Sequence, residues 1–174
     1  MRFIIFYIII CVESVYMVIN FTNFQITSFD KSNPAHLSFL KSLIKDKTIL
    51  ERFQGFSQHL LHNFGDEFFD RGFFIIYNAT IVGYLDIGNF NQIDSCVYLR
   101  CAIHKDFRGQ NIGKSILNEI THYIFYTYPY IESIRLKIAQ DNIPSLKIAQ
   151  ACGYQWLNDD YYGKYNPNHQ NIKK

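Results

Sequence analysis

Two periods alternate along this chain, and they divide it into strands and helices. From Cys96 to His104 the period is two: Val97, Leu99, Cys101 and Ile103 share one face, with Tyr98, Arg100 and Ala102 on the other. That pattern predicts a strand. Further on, Ile112, Ile116, Leu117, Ile120 and Ile124 fall on one stripe at a period of 3.6, which predicts a helix. Earlier in the chain, Val18 to Ser28 alternates as a strand. Asp30 to Pro34 forms a turn, and Leu37, Leu40, Leu43 and Ile44 stripe a helix that starts at Pro34. Ile49 to Phe64 predicts a second helix, with Phe53, Phe56, Leu60, Leu61 and Phe64 inward, and Gly65 to Gly72 a polar loop.

Phe73 to Tyr77 and Ile81 to Ile87 read as a hairpin around Asn78-Ala79-Thr80, and Gly88 to Asn91 leads into the Cys96 strand. Tyr128-Pro129 ends the long helix. Glu132 to Ala139 is a strand with Ile134, Leu136 and Ile138 on one face and Arg135 and Lys137 on the other. Asp141 or Asn142 caps a further helix, which Gly153 closes, and Tyr154 to Leu157 with Tyr161 to Tyr165 make a last hairpin. The order is β-α-α-β-β-β-α-β-α-β-β. It predicts one α/β domain over residues 17–166, with 167–174 as a tail.

The turn between the Cys96 strand and its helix, Arg108-Gly109-Gln110-Asn111-Ile112-Gly113, carries candidate chemistry. Two glycines and an asparagine accept left-handed backbone, which lets successive N–H groups converge. A helix N-terminus adds about half a positive charge at the same place. Together these suit a phosphate or pyrophosphate; the plainer reading is a turn that needs glycine for geometry alone. The spacing is not that of a P-loop, since no Gly-Lys-Ser/Thr follows. Nor is it a dinucleotide fingerprint, since the glycine spacing differs and no acidic residue ends a strand about 20 residues on.

Composition narrows the classes. With 174 residues, 48% hydrophobic and 18% charged, the chain is long enough for one real core. A net charge of +2, with no basic run beyond two residues, argues against nucleic acid as partner. Cys11, Cys96, Cys101 and Cys152 show no metal-ligand spacing and read as buried thiols of a reducing cytoplasm. His59 and His62 are helically spaced but read as a partly exposed face, so no metal is expected. Residues 1–16 hold an apolar run from Phe3 to Val12, shorter than the roughly 20 residues that cross a bilayer. No small-residue cleavage site follows. These residues read as an apolar extension or a mis-assigned start ahead of Met17, with a peripheral membrane anchor as the lesser alternative.

The loop resembles the Arg/Gln-x-x-Gly-x-Gly/Ala signature of the GNAT N-acetyltransferase superfamily, with Asn111 standing where the first signature glycine usually stands. A second stretch, Asp141-Asn142-Ile143-Pro144-Ser145-Leu146 ending at Ala151-Cys152-Gly153-Tyr154, is similar to that family's asparagine, helix and Gly-aromatic element. The resemblance covers roughly residues 20 to 165 and is nearest in pattern to the ribosomal-protein and N-terminal acetyltransferase branch. It implies an acyl-CoA N-acyltransferase fold: a mixed twisted sheet of about seven strands with about four helices. It also implies acetyl-CoA as co-substrate and an amine acceptor, and leaves a homodimer open.

Residue by residue, the resemblance implies that Ala102 and Ile103 pair through their backbone with the pantetheine arm. Arg108, Gly109, Gln110, Asn111, Ile112 and Gly113, with Lys114 and Ser115, would hold the pyrophosphate. Asn142 would reach the pantetheine or thioester, or serve only as a helix cap. Many family members place a tyrosine acid where this chain has Ala149, so that role does not transfer. Ser145 could hydrogen-bond the departing sulfur, or be a first-turn serine and nothing more. The strand offers no carboxylate from Val97 to Ile103; Asp86, on the preceding strand, is the nearest candidate base by register, with Glu51, Asp66 and Glu67 as alternatives.

Acyl transfer needs a neutral amine. An α-amine near pKa 8 is about a tenth neutral at pH 7, whereas a lysine amine is below a thousandth. A site without an obvious base therefore suits an α-amine better, though water could serve a polyamine. The expected activity is acetyl transfer from acetyl-CoA to a primary amine, of a protein N-terminus or a small molecule, by direct attack in a ternary complex. Cys101 is not expected to act as a nucleophile. The alternative is a non-catalytic CoA-binding or regulatory module on the same fold. Asp66, Glu67 and Asp70 could suit a cationic acceptor or simply face solvent.

Overall fold

The computed structural model describes residues 17–30, 32–52, 71–91 and 94–169. The expectations for residues 1–16, for Phe53 to Asp70 and for the end of the tail therefore lie outside the described residues. The strands are β1 (Val18–Asn20), β2 (Gln25–Ser28), β3 (Arg71–Tyr77), β4 (Thr80–Asn91), β5 (Cys96–Ile103), β6 (Ser133–Lys137), β7 (Gln155–Asn158) and β8 (Tyr161–Tyr165). They form one eight-stranded sheet in the order β1-β2-β3-β4-β5-β6-β8-β7. The β5–β6 pair is parallel; every other neighbouring pair is antiparallel.

Helices cover both faces of this sheet. On one side lie α1 (Pro34–Leu43) and α2 (Lys47–Arg52), whose Leu43 and Ile49 pack with Phe74, Tyr84 and Ala102. On the other lie α3 (Ile112–Thr127) and α4 (Ile143–Ala151). Ile112, Ile116, Ile120 and Ile124 of α3 and Ala149 of α4 join Phe73, Ile75, Leu85, Val97, Leu99, Ile134 and Leu136 in the larger core. Strand alternation explains the split, because neighbouring residues of β3, β4 and β5 face opposite cores. Burying these side chains is the main favourable term, at about 25 cal/mol per Å² of apolar surface.

The sheet has one strand more than expected. Val18 to Ser28 is not a single strand but the β1–β2 hairpin, with Val18 opposite Thr27. Phe21 N–H donates to the Phe24 carbonyl at 2.8 Å and the two rings stack at 4.5 Å, so this aromatic turn reverses the chain. Gly88 to Asn91, expected as a lead-in, extends β4 instead and pairs with β5 across an irregularity. Asn78 and Ala79 both take left-handed backbone, φ 48° and 58°, as a two-residue hairpin turn requires. Gly153, at φ 82°, closes α4 as expected: its N–H donates to Gln150 and that of Tyr154 to Ala149, each at 3.0 Å.

Candidate active site

At their C-terminal ends β5 and β6 diverge. Their parallel pairing covers only Cys96, Val97 and Tyr98 against Ser133, Ile134 and Arg135. Beyond that, β5 stays joined to β4 as far as Ile103, and β6 stays with β8 as far as Lys137. A wedge opens between them, with the backbone of β5 along one side. His104 N–H donates to the Val82 carbonyl at 2.9 Å. Hydrogen-bonded pairs alternate in an antiparallel ladder, so Ala102 bonds its partner Tyr84 and turns its backbone toward β4. Cys101 and Ile103 turn theirs toward the wedge. Of the two residues expected at this edge, the register sends Ile103 there and Ala102 away, and brings in Cys101. Burial pushes the Cys101 thiol up to about 12, which leaves it inert as a nucleophile.

A 3₁₀ turn (Lys105–Phe107) carries β5 into the glycine-bearing loop. Gly109 and Asn111 both adopt left-handed backbone, φ 81° and 59°. Asn111 thus supplies the conformation for which glycine is the usual residue. α3 then begins with no side chain capping it, whereas Asn33 caps α1 and Asn142 caps α4. The N–H groups of Ile112, Gly113 and Lys114 therefore have no capping side chain. A Cβ placed on Gly113 would meet Ile148 Cδ1 at 3.6 Å and Ile103 Cγ1 at 3.8 Å, which is ordinary contact. The protein's own packing therefore does not demand glycine at 113, and the bare backbone there is free to meet a ligand. Lys114 is exposed, and Ser115 Oγ donates to Glu119 Oε1 at 2.9 Å. Gln110 is exposed, its Nε2 donating to the Asp106 carbonyl at 3.4 Å.

Arg108 points back into the protein. Its Nε donates to the Ile103 carbonyl at 3.0 Å and its Nη2 to Asp46 Oδ2 at 2.7 Å. Asp46 also caps α2, accepting from Thr48 N–H at 3.0 Å. Burial pushes the Asp46 carboxyl up, but the Arg108 charge and hydrogen bond and the Ile49 and Thr48 N–H groups outweigh it and hold it below 3.8. Arg52 of α2 reaches the opposite side, bonding both carboxylate oxygens of Asp141, with Nη2 to Oδ2 at 2.9 Å. α2 therefore straddles the wedge, tied to the loop after β5 and to the segment after β6. Neither tie was read from the sequence, because each joins residues 62 or more positions apart.

On the β6 side, Asn142 Oδ1 accepts from Ser145 N–H at 3.5 Å, so Asn142 is the cap and the half-buried Ser145 hydroxyl is not. Ala149 is fully buried in the larger core. Asp86, 3% exposed, accepts from Arg100 Nε at 2.7 Å and again from Arg100 Nη2. Glu51 is exposed on α2; Asp66, Glu67, His59 and His62 lie outside the described residues. Among the described residues no three His, Cys, Asp or Glu side chains gather as metal ligands, and no helix is long and apolar enough to cross a membrane.

A wedge between two parallel strands, with an uncapped helix N-terminus beside it, has the shape and polarity that would suit an extended ligand ending in phosphate. Residues 38–154 match the family model described as "Acetyltransferase (GNAT) family". The chain belongs to the GNAT acetyltransferase family. It is an N-acetyltransferase, an enzyme that moves an acetyl group from acetyl-CoA to an amine. Among solved structures it is similar to RimL, a ribosomal L7/L12 alpha-N-protein acetyltransferase in complex with coenzyme A. Identity is 17% and TM-score 0.69, with 87% of this chain and 99% of that one covered. It is also similar to a spermidine N-acetyltransferase SpeG chimera from Vibrio cholerae and hSSAT (15% identity, TM-score 0.64, 86% and 99% covered). A third is MccE, a microcin C7 self-immunity acetyltransferase in complex with acetyl-CoA and AMP (15%, TM-score 0.62, 83% and 93%). These three share the fold. No curated protein sequence matches the chain.

Proposed function

We propose that this GNAT enzyme binds acetyl-CoA along the wedge, acts in the cytoplasm, and lets the acceptor amine attack the thioester directly in a ternary complex. The observation that carries this reading is the uncapped N-terminus of α3 at the wedge mouth. The pyrophosphate would rest on the backbone of Gly109 to Gly113 and the first-turn residues Lys114 and Ser115. Arg108 would hold that loop in place from behind rather than meet the phosphate, since its guanidinium is already engaged by Asp46 and Ile103. The pantetheine arm would pair with the backbone edge at Cys101 and the Ile103 N–H, since the Ile103 carbonyl is held by Arg108.

Each catalytic requirement has a candidate. Asn142 and Ser145 sit at the start of α4, just past the β6 side of the wedge, where a thioester would lie. Ser145 would donate a hydrogen bond to the departing sulfur, directly or through water. A thiol leaving group near pKa 8.5 asks for little more. Asp86 would take the amine proton only by sharing its bond with Arg100. Asp86→Asn should then lower kcat while acetyl-CoA affinity holds.

The test is coenzyme A release from acetyl-CoA with N-terminal peptides, amino acids, polyamines and aminoglycosides, and Gly113→Asp as control. Turnover of one amine class that is lost in the control supports the reading. Tight acetyl-CoA binding without turnover of any amine would favour a non-catalytic CoA-binding module, and absence of binding would overturn the donor site.

A further inference from the structure

Beyond Tyr98 and Arg135, the last parallel pair, no ladder joins β5 to β6 among the described residues. The width of the wedge is therefore set by what spans it. On one face α4 packs against α3, with Thr121 Oγ1 and Tyr154 Oη 2.6 Å apart and buried. On the other face, among the described residues, the spanning element is α2. Its N-terminal end is fixed. Asp46 accepts from Thr48 N–H at 3.0 Å and from Arg108 Nη2 at 2.7 Å, and Ile49 is buried against Phe74, Tyr84 and Ala102.

The far end of α2 meets the β6 side through one residue. Arg52 bonds both carboxylate oxygens of Asp141, with Nη2 to Oδ2 at 2.9 Å. A two-pronged guanidinium bond sets orientation as well as distance, which a lysine cannot do. Asp141 lies in the tight turn after β6. Asn142 N–H closes that turn on the Ala139 carbonyl at 2.9 Å, and Asn142 then caps α4. A grip on the Asp141 carboxylate is thus a grip on the neighbouring Asn142. As a stabiliser the pair adds little, because the Asp141 side chain is 73% exposed and water competes for it. Its geometric effect is larger. It ties the Asn142 end of the wedge to the helix that also holds the loop before α3.

Resting on the N-acetyltransferase reading above, we infer that Arg52 is a positioning residue for acetyl transfer. Acting through Asp141, it holds Asn142 and Ser145 at the distance from β5 at which they meet the thioester. α2 is then a cross-brace, fixed to the donor loop by Arg108 and to the thioester end by Arg52. An error of about 1 Å in such a placement can cost on the order of a hundredfold in rate, whereas loss of an exposed ion pair barely alters folding.

The test uses the full chain, acetyl-CoA and whichever amine of the panel above turns over. Arg52→Gln should lower kcat by about tenfold or more, with acetyl-CoA affinity by calorimetry within about twofold and the melting temperature held. Asp141→Asn should lower kcat to the same extent, and the two substitutions together no further, since both break one link. Salt supplies a readout that needs no variant. At saturating substrates, kcat of the unsubstituted protein should fall as salt rises to roughly 1 M, where exposed pairs are screened. In Arg52→Gln that fall should be largely gone. A kcat unchanged in Arg52→Gln, a loss of rate matched by a loss of folded protein, additive losses in the double variant, or equal salt sensitivity of the two proteins would overturn the inference. Failure of the donor site reads separately, as loss of acetyl-CoA binding in the unsubstituted protein. The brace is then still read by NMR. The amide resonance of Ile103, across the wedge from Asp141, should move in Arg52→Gln with or without turnover, and an unmoved Ile103 would equally overturn the inference.

Discussion

Two helices begin at the same edge of the sheet, and they begin differently. α3 follows β5 and starts uncapped, after Gly109 and Asn111 in left-handed backbone. α4 follows β6 and starts with Asn142 bonded to Ser145 N–H and Pro144 in its first turn. Both follow parallel strands that diverge at that end, so location alone does not separate them. What separates them is whether the helix's own side chains satisfy its first N–H groups. A capped N-terminus is complete within the protein. An uncapped one is left for an anion, where charge and N–H direction add up to about 2 kcal/mol in favourable geometry. Under the proposed reading the donor's phosphates would rest on α3, and the side chains of α4 would be left for the thioester end.

The strongest way to break this comparison is at Gly113. Gly113→Ala introduces a Cβ that the protein accommodates, at 3.6 Å from Ile148 and 3.8 Å from Ile103. Alanine is the better helix former by about 1 kcal/mol, so the melting temperature should hold or rise. Acetyl-CoA affinity should nevertheless fall, by about tenfold or more if one phosphate contact to the backbone is lost, and further for Gly113→Asp. Calorimetry and thermal melting on the same variants give both readings. An affinity unchanged in Gly113→Ala would mean that the α3 backbone does not meet the ligand.

The mirror experiment is at Asn142. Asn142→Ala removes the α4 cap and should cost about 1 kcal/mol of stability. Asn142→Ser keeps a capping oxygen and should recover most of that. If Asn142 also reaches the thioester, the serine variant melts like the parent protein but turns over more slowly. Full recovery of turnover by serine would reduce Asn142 to a cap. A smaller effect belongs to Asn111, held at φ 59°. Asn111→Gly should leave stability within about 0.5 kcal/mol, whereas Asn111→Ala should cost about 1 kcal/mol, because alanine strains in that conformation.

The two N-termini also differ in how far the sequence disclosed them. The period-2 run to Ile103 and the period-3.6 stripe from Ile112 located the loop, and Gly109 with Asn111 marked its left-handed backbone. Asn142 was legible as a cap for the same reason: a short polar side chain stands immediately before an apolar run. The β1–β2 reversal was not legible, since Phe21 to Phe24 carries no glycine or proline and alternates as a strand does. The open edge of the wedge was one residue off, because the parity of a ladder depends on which partner carbonyl His104 meets. The ion pairs that place the active site were hidden for a plainer reason. Asp46 meets Arg108, and Arg52 meets Asp141, only once the sheet has brought distant segments together.

Those two ion pairs give the finest form of the comparison, since one secures the loop before α3 and the other the segment before α4. Arg108 and the backbone donors hold the Asp46 carboxyl below 3.8 against its burial, and the Arg52 hydrogen bond holds Asp141 below it too. A carboxylate whose folded value is depressed adds stability at pH above about 3.8 and loses it as pH falls through the folded value. Both ties should therefore persist at neutral pH and release only in acid. Salt should tell them apart. The Asp141 side chain is 73% exposed and that of Asp46 only 11%, and solvent-exposed pairs are screened far more than sheltered ones. Carboxyl carbon titrations by NMR should place both groups below 3.8 at low salt. At roughly 1 M salt, where the screening length is about 3 Å, Asp141 should return toward its ordinary value while Asp46 stays low. Equal movement of the two would mean that the α3 loop is held no more firmly than the start of α4, and that the proposed anion site would depend on the ligand itself for its shape.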